Sequence, residues 1–217
     1  MNTITLFHGS PSQVVHPTFG QGDEKHDYGK GFYLTEDSEL AKEWSVSIPS
    51  TEKGYVHQFE LDTTDLKILD FQKINTLAWL AELMKHRDAS DSKRYRMLAR
   101  RFIDTYGVDT SGYDVIKGWR ADASYFFIAK AFVRDEVDVS ILDELLKLGN
   151  LGTQYCLRSE KAFQHLKPIP ENLETVDAEI YSSKYDQRDT QARIDMKNLI
   201  DSDRNEVINV FSSLVGR

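Results

Sequence analysis

The 217 residues contain a single cysteine, Cys156. That excludes an internal disulfide and a cysteine-based zinc site, and it fits a reducing compartment. Proline is also scarce, with five in all. Two of them stand in Lys167-Pro168-Ile169-Pro170, the nearest thing to a linker, where they are expected to end a preceding helix. No apolar run reaches transmembrane length, and no basic segment followed by an apolar one opens the chain. The expected location is therefore the cytoplasm, or a target cell reached without a cleaved signal peptide, with no membrane partner. Positive charge is in the minority, giving a net charge of −8. This argues against a broad basic face for nucleic acid, though not against a nucleic acid held locally as a substrate. Several catalytic signatures are missing: a nucleotide-triphosphatase phosphate loop, a GxSxG elbow and an HExxH zinc pair. Gly29-Lys30-Gly31 lacks the third glycine of a dinucleotide fingerprint and precedes a strand instead of following one. No metal site is expected.

What is present reads as a globular core. The hydrophobic fraction is 40%, with eleven Phe, ten Tyr and three Trp. Strands are expected at Asn2 to Phe7, Phe32 to Thr35, Gly54 to Leu61, Leu66 to Leu69, Tyr113 to Lys117 and Thr153 to Leu157. Helices are expected after Asp37 or Ser38, through Gln72 to Tyr106 with a break near Asp88 to Asp91, and at Asp122 to Arg134, Val139 to Leu148 and Glu160 to Leu166. A charged helical tail follows from Asp186 to Val215. Strands scattered along the chain with helices between them indicate an α+β fold. The expectation is one domain over residues 1–217, with a helical insertion at about 72–106 and a C-terminal helical extension at about 171–217.

The stretch Tyr28 to Trp44, YGKGFYLTEDSELAKEW, organises the rest. Gly29 and Gly31 let the backbone bend around Lys30. Tyr33 leaves a strand, and Trp44 sits on the adjoining helix eleven residues later. Two aromatics on two rigid elements can close on a flat ring, or they can be ordinary core. His8-Gly9-Ser10 ends the first strand and Gln154-Tyr155 opens a late one. On the insertion, Lys93, Arg94, Arg96, Arg100 and Arg101 form a basic cluster. It is either a solvated face or a surface for an acidic partner or a nucleic-acid acceptor.

These segments resemble those of a known family. His8-Gly9-Ser10 is similar to the HGS or HGT segment of ADP-ribosyltransferases of the diphtheria toxin and poly(ADP-ribose) polymerase type. Gly29-Lys30-Gly31-Phe32-Tyr33 is similar to their GKGIY segment, and the step to Trp44 matches the step to their second aromatic. Gln154-Tyr155-Cys156-Leu157 lies where they carry a glutamate. More closely, the chain resembles a bacterial family of unknown function with this fold, often encoded in toxin–antitoxin-like pairs. Its members carry a similar LxHGS strand, GKGFYLT followed by AKEW, a segment like Tyr113-Asp114-Val115-Ile116, and a charged helical tail.

The resemblance implies a split antiparallel β-sheet core and NAD as co-substrate. It implies a mono-ADP-ribosyltransferase acting on a macromolecule, protein or nucleic acid, in the manner of a toxin or effector, with an antitoxin-like protein as a further partner. It also implies roles. Gly9 would present its backbone to the carboxamide, and His8 and Ser10 would bind near a ribose. Tyr33 and Trp44 would stack on nicotinamide, and Gln154 would orient the ribose. Lys30, beside Gly31, and His26 would meet the diphosphate unless they belong to a solvated loop. Arg120, near Asp122, would reach a phosphate or the acceptor. Gln154 departs from the family's glutamate: it keeps a hydrogen bond but carries no charge. That argues against polymer synthesis. It also leaves open an NAD glycohydrolase, or a catalytically silent module that binds NAD or ADP-ribose. If the pocket geometry is intact, Gln154→Glu is expected to raise turnover. Glu160 would lie about 20 Å away along a regular strand, so it is read as a helix-cap residue beside Ser159.

Overall fold

The computed structural model describes residues 2–48, 52–88, 92–121, 125–150, 152–203 and 210–215. Among these residues the chain forms seven strands and eight α-helices in a mixed α+β arrangement. The strands are β1 Thr3–Ser10, β2 Phe32–Thr35, β3 Lys53–Asp62, β4 Ile68–Asp70, β5 Val115–Trp119, β6 Thr153–Leu157 and β7 Leu166–Asp177. The helices are α1 Ser38–Ser45, α2 Thr76–His86, α3 Lys93–Tyr106, α4 Tyr125–Val133, α5 Val139–Lys147, α6 Glu160–Gln164, α7 Ala178–Asp203 and α8 Phe211–Val215. The expected break near Asp88–Asp91 and the expected helix start at Asp122 involve residues 89–91 and 122–124, which lie outside the described residues.

The strands form one sheet in the order β4-β5-β6-β2-β1-β3-β7. Neighbours are antiparallel except β4 and β5, which run parallel. β1 and β2 meet at the single pair Phe7↔Thr35, so two halves are joined at a narrow seam. Side chains alternate across the sheet. On β6, Tyr155 and Leu157 face a core with Leu6, Leu34, Phe59 and Val115. Cys156 faces the larger, helical core with Trp79, Phe102 and Phe132. Gln154 has the parity of Cys156.

Two expectations fail in the same place. Lys167-Pro168-Ile169-Pro170 is neither a linker nor a helix end, and the C-terminal extension does not begin as a helix at 171. Both segments are part of β7, and helix starts only at Ala178. β7 is an edge strand, where a proline's missing N–H need not break a ladder. Pro168 pairs with Phe59, and Pro170 falls in the irregularity between Gln58↔Ile169 and Val56↔Glu174.

The helix starts follow side-chain chemistry. Asp37 caps α1 by accepting from the N–H groups of Glu39 and Leu40. Ser159 caps α6 by accepting from Ala162, and its own hydroxyl donates to Asp114. Glu160 thus begins a helix, as expected. α7 is tied back across α1: Arg188 binds Glu43, and Tyr181 and Lys184 bind Glu39. No helix among the described residues is long and apolar enough to cross a membrane.

Candidate functional site

A cavity of about 710 Å³ opens where the ends of β1, β2 and β6 meet the loop before β2. That volume lies within the range of small-molecule sites. It brings together His8, Gly9 and Ser10 of β1, Gly31, Tyr33, Trp44 of α1 and Gln154 of β6. His26 and Arg120 line it too. Lys30 does not: it is exposed on the loop and lies outside the lining. Asp122 falls outside the described residues.

His8 owes its state to its neighbours. Its Nδ1 lies 2.8 Å from the Tyr33 carbonyl, an acceptor only, so Nδ1 carries the proton. Nε2 then holds the lone pair and can accept from a hydroxyl. Burial lowers the ring's pKa to about 4, opposed by the bond to Tyr33 and reinforced by His57. The ring packs on Phe32, with centroids 4.5 Å apart.

Tyr33 works on the loop as well as in the cavity. Its hydroxyl donates to the Gly29 carbonyl at 2.6 Å and accepts from the Tyr28 N–H at 3.0 Å. It staples the bend where Gly29 adopts φ +73°. Burial raises its pKa above the ordinary tyrosine range, so it remains a neutral phenol. Gly9 is glycine for packing: a Cβ there would lie 1.9 Å from the Ala41 carbonyl oxygen of α1. That close approach is what brings Trp44 beside β1. One face of Trp44 carries the Arg120 guanidinium, 4.8 Å from the ring centre. A flat ligand ring must use the other face or displace Arg120.

Gln154 is 3% exposed. Its Nε2 donates to Asp27 Oδ2 at 2.7 Å and to the Trp119 carbonyl at 3.3 Å. Asp27 and its ion-pair partner Arg87 are lining residues that sequence reasoning missed. No local signal marks them. An aspartate in a glycine-rich loop and a cation at a helix end are both commonplace. Phe126 and Tyr185 also line the cavity, and the Arg87 guanidinium lies 4.7 Å from the Phe126 ring centre.

The electrostatics favour an anion. Among the described residues, Lys25, Arg87 and Arg120 line the cavity against one carboxylate, Asp27, although the chain as a whole is acidic. A second cavity of about 610 Å³ lies between α4 and α7, lined in part by Phe127, Ala131, Met196 and Ile200, and holds none of the candidate residues. The basic cluster of α3 is exposed, opposite a buried face of Tyr95, Ala99 and Phe102. Among the described residues, no group of three or more His, Cys, Asp or Glu side chains is arranged to hold a metal.

A family model for proteins of unknown function, DUF3990, matches residues 4–167, from β1 to the start of β7. The chain belongs to the DUF3990 family. The matched span contains His8, Asp27, Tyr33, Trp44, Arg87 and Gln154, whereas α7 with Tyr185 lies beyond it. No curated protein and no solved structure matches the chain.

Proposed function

We propose that this DUF3990 chain binds NAD in the 710 Å³ cavity and transfers its ADP-ribose to a macromolecular acceptor. One observation carries the reading. His8, Tyr33, Trp44 and Gln154, which lie on four separate elements, line one cavity in which, among the described residues, cations outnumber acids. Arg120 and Lys25 suit a diphosphate, and neutral His8 suits a ribose hydroxyl. The resemblance to ADP-ribosyltransferases supports the same assignment.

In this reaction the ribose C1′–N bond to nicotinamide breaks, and its electron pair stays on the ring nitrogen, which becomes neutral. A lone pair of the acceptor forms the new bond to C1′, and the acceptor's proton passes to solvent. Positive charge builds on the ribose in between, as in glycoside cleavage. The chain's part is to hold the ring and ribose and to present oxygen atoms near that charge. Tyr33, kept as a phenol, positions and does not act as a base.

Gln154 favours a second reading, in which water is the acceptor or in which NAD is bound without turnover. One assay separates these. NAD labelled on the adenine side is incubated with the protein, with and without cell lysate, beside a Tyr33→Ala control. Label in macromolecules that the control lacks is the expected result. Nicotinamide release with free ADP-ribose marks a hydrolase, and binding without release marks a recognition module. Absence of both binding and release overturns the nucleotide reading.

A further inference from the structure

A glutamine in place of a glutamate loses a charge but not a hydrogen bond. In this chain a carboxylate stands directly behind the glutamine. The two hydrogens of Gln154 Nε2 are directed at Asp27 Oδ2 and the Trp119 carbonyl. Both partners are acceptors here, so the network fixes which way the amide is turned. Oε1 is left as the face available to a ligand. Asp27 is itself held from three sides. Oδ2 also accepts from the Ala121 N–H at 2.9 Å, and Oδ1 accepts from Arg87 at 2.7 Å. The residue is 7% exposed.

We propose that Asp27 is the positioning residue of this site, fixing Gln154 with Oε1 toward the ligand and polarising that oxygen from one hydrogen bond behind it. The inference rests on the nucleotide reading and deepens it. The group received at Gln154 is a ribose hydroxyl beside a developing cation. The charge absent at 154 is supplied at 27, as the Oδ2 side of an ion pair whose other oxygen meets Arg87. In a site shielded from water, hydrogen-bonded groups in such a chain polarise one another.

The placement changes what Gln154→Glu should do. A second carboxylate would sit at hydrogen-bond distance from Asp27, and two such groups share a proton. The decisive comparison uses four full-length chains: wild type, Asp27→Asn, Gln154→Glu and the double variant. The double variant moves the carboxylate from 27 to 154 at constant net charge. It keeps a hydrogen bond between the two side chains with donor and acceptor exchanged.

Nicotinamide release is measured across pH with kcat and KM separated, together with melting temperature. Asp27→Asn is expected to lower kcat about a hundredfold with KM within about threefold, because the loss falls on the charged transition state. Gln154→Glu alone is expected to gain a pH dependence that wild type lacks. The double variant is expected to recover most of the Asp27→Asn loss. A folded Asp27→Asn chain with unchanged kcat overturns the proposal, as does a double variant that melts like wild type yet recovers nothing. Should Asp27→Asn fail to fold, a Gln154→Glu chain with the wild-type pH profile overturns it.

A chain that neither binds nor cleaves NAD sinks the nucleotide reading alone. The positioning claim is then decided by the Gln154 side-chain amide in nitrogen-labelled protein. Two separated, slowly exchanging proton resonances are expected, and a freely exchanging pair overturns it.

Discussion

Arg87 Nη1 and Asp27 Oδ1 lie 2.7 Å apart with both side chains nearly buried, joining the end of α2 to the loop before β2. The same guanidinium donates to the Ala121 carbonyl at 3.0 Å and lies over the rings of Tyr125 and Phe126. Removing one member of such a pair leaves a charge without its partner. Arg87→Met is therefore expected to cost about 3–5 kcal/mol. Thermal melting checks this, and the expected drop is about 10 °C for a chain of this size. Adding Asp27→Asn to Arg87→Met should cost less than the two single changes summed, because the orphaned carboxylate is gone.

His8 links stability to acid. The unfolded chain takes up its imidazole proton near the ordinary histidine pKa of 6.5, whereas the folded chain does so at about 4. Between those values the unfolded state binds more protons, so stability rises with pH. The contribution is full above the unfolded value and is lost as pH falls through the window, up to about 3 kcal/mol. Urea unfolding at neutral pH and near pH 4 should show this slope in wild type. It should be reduced by that amount in His8→Gln.

The contact between β1 and α1 has no room for a methyl group. Gly9→Ala would put a Cβ against the Ala41 carbonyl and 2.7 Å from the Ser45 nitrogen, both backbone atoms that cannot rotate away. Overpacking of this kind costs about 1–3 kcal/mol, and the upper end is expected here. The helix must move off the strand and carry Trp44 with it, so ligand affinity should fall as well. Gly112→Ala is the matched control, with nothing within 4 Å of its Cβ. Calorimetry of both should show Gly112→Ala within about 0.5 kcal/mol of wild type.

Cys156 is buried behind Gly31 and Tyr33, and burial pushes its thiol pKa up to about 12. A thiol kept protonated and out of solvent reacts slowly. Iodoacetamide should leave the folded protein unmodified and label it fully in denaturant. The labelling rate, followed by mass spectrometry, then measures opening of the β2–β6 region. Rapid modification of the native chain would contradict this burial.

Much of the frame was legible because periodicity and caps are local. The GKGFYLT strand, the Asp37 cap and the β6 segment all come out where alternation and capping residues put them. β7 was not legible, because Pro168 and Pro170 look like breakers until the strand is known to be at an edge. In the cavity, His8, Tyr33, Trp44 and Gln154 were marked by motif order. Asp27 and Arg87 were not, because their meaning lies in a contact across 60 positions that neither neighbourhood advertises. Lys30 misled for the opposite reason: it sits inside the motif, yet the turn leaves it in solvent. Tyr185 was hidden because a charged helix gives no hint of which of its residues line a cavity.

The strand order also dictates when the cavity can exist. β6 lies between β5 and β2, so nothing pairs the β4–β5 side with the β2–β1–β3 side until residues 153–157 have been made. Pairings of such long range close slowly, and a nascent chain emerges N-terminus first. The early strands on the ribosome therefore carry His8 and Tyr33 with no Gln154 opposite them. Assembly of the sheet and completion of the cavity wall become one event, and a chain released before β6 has neither.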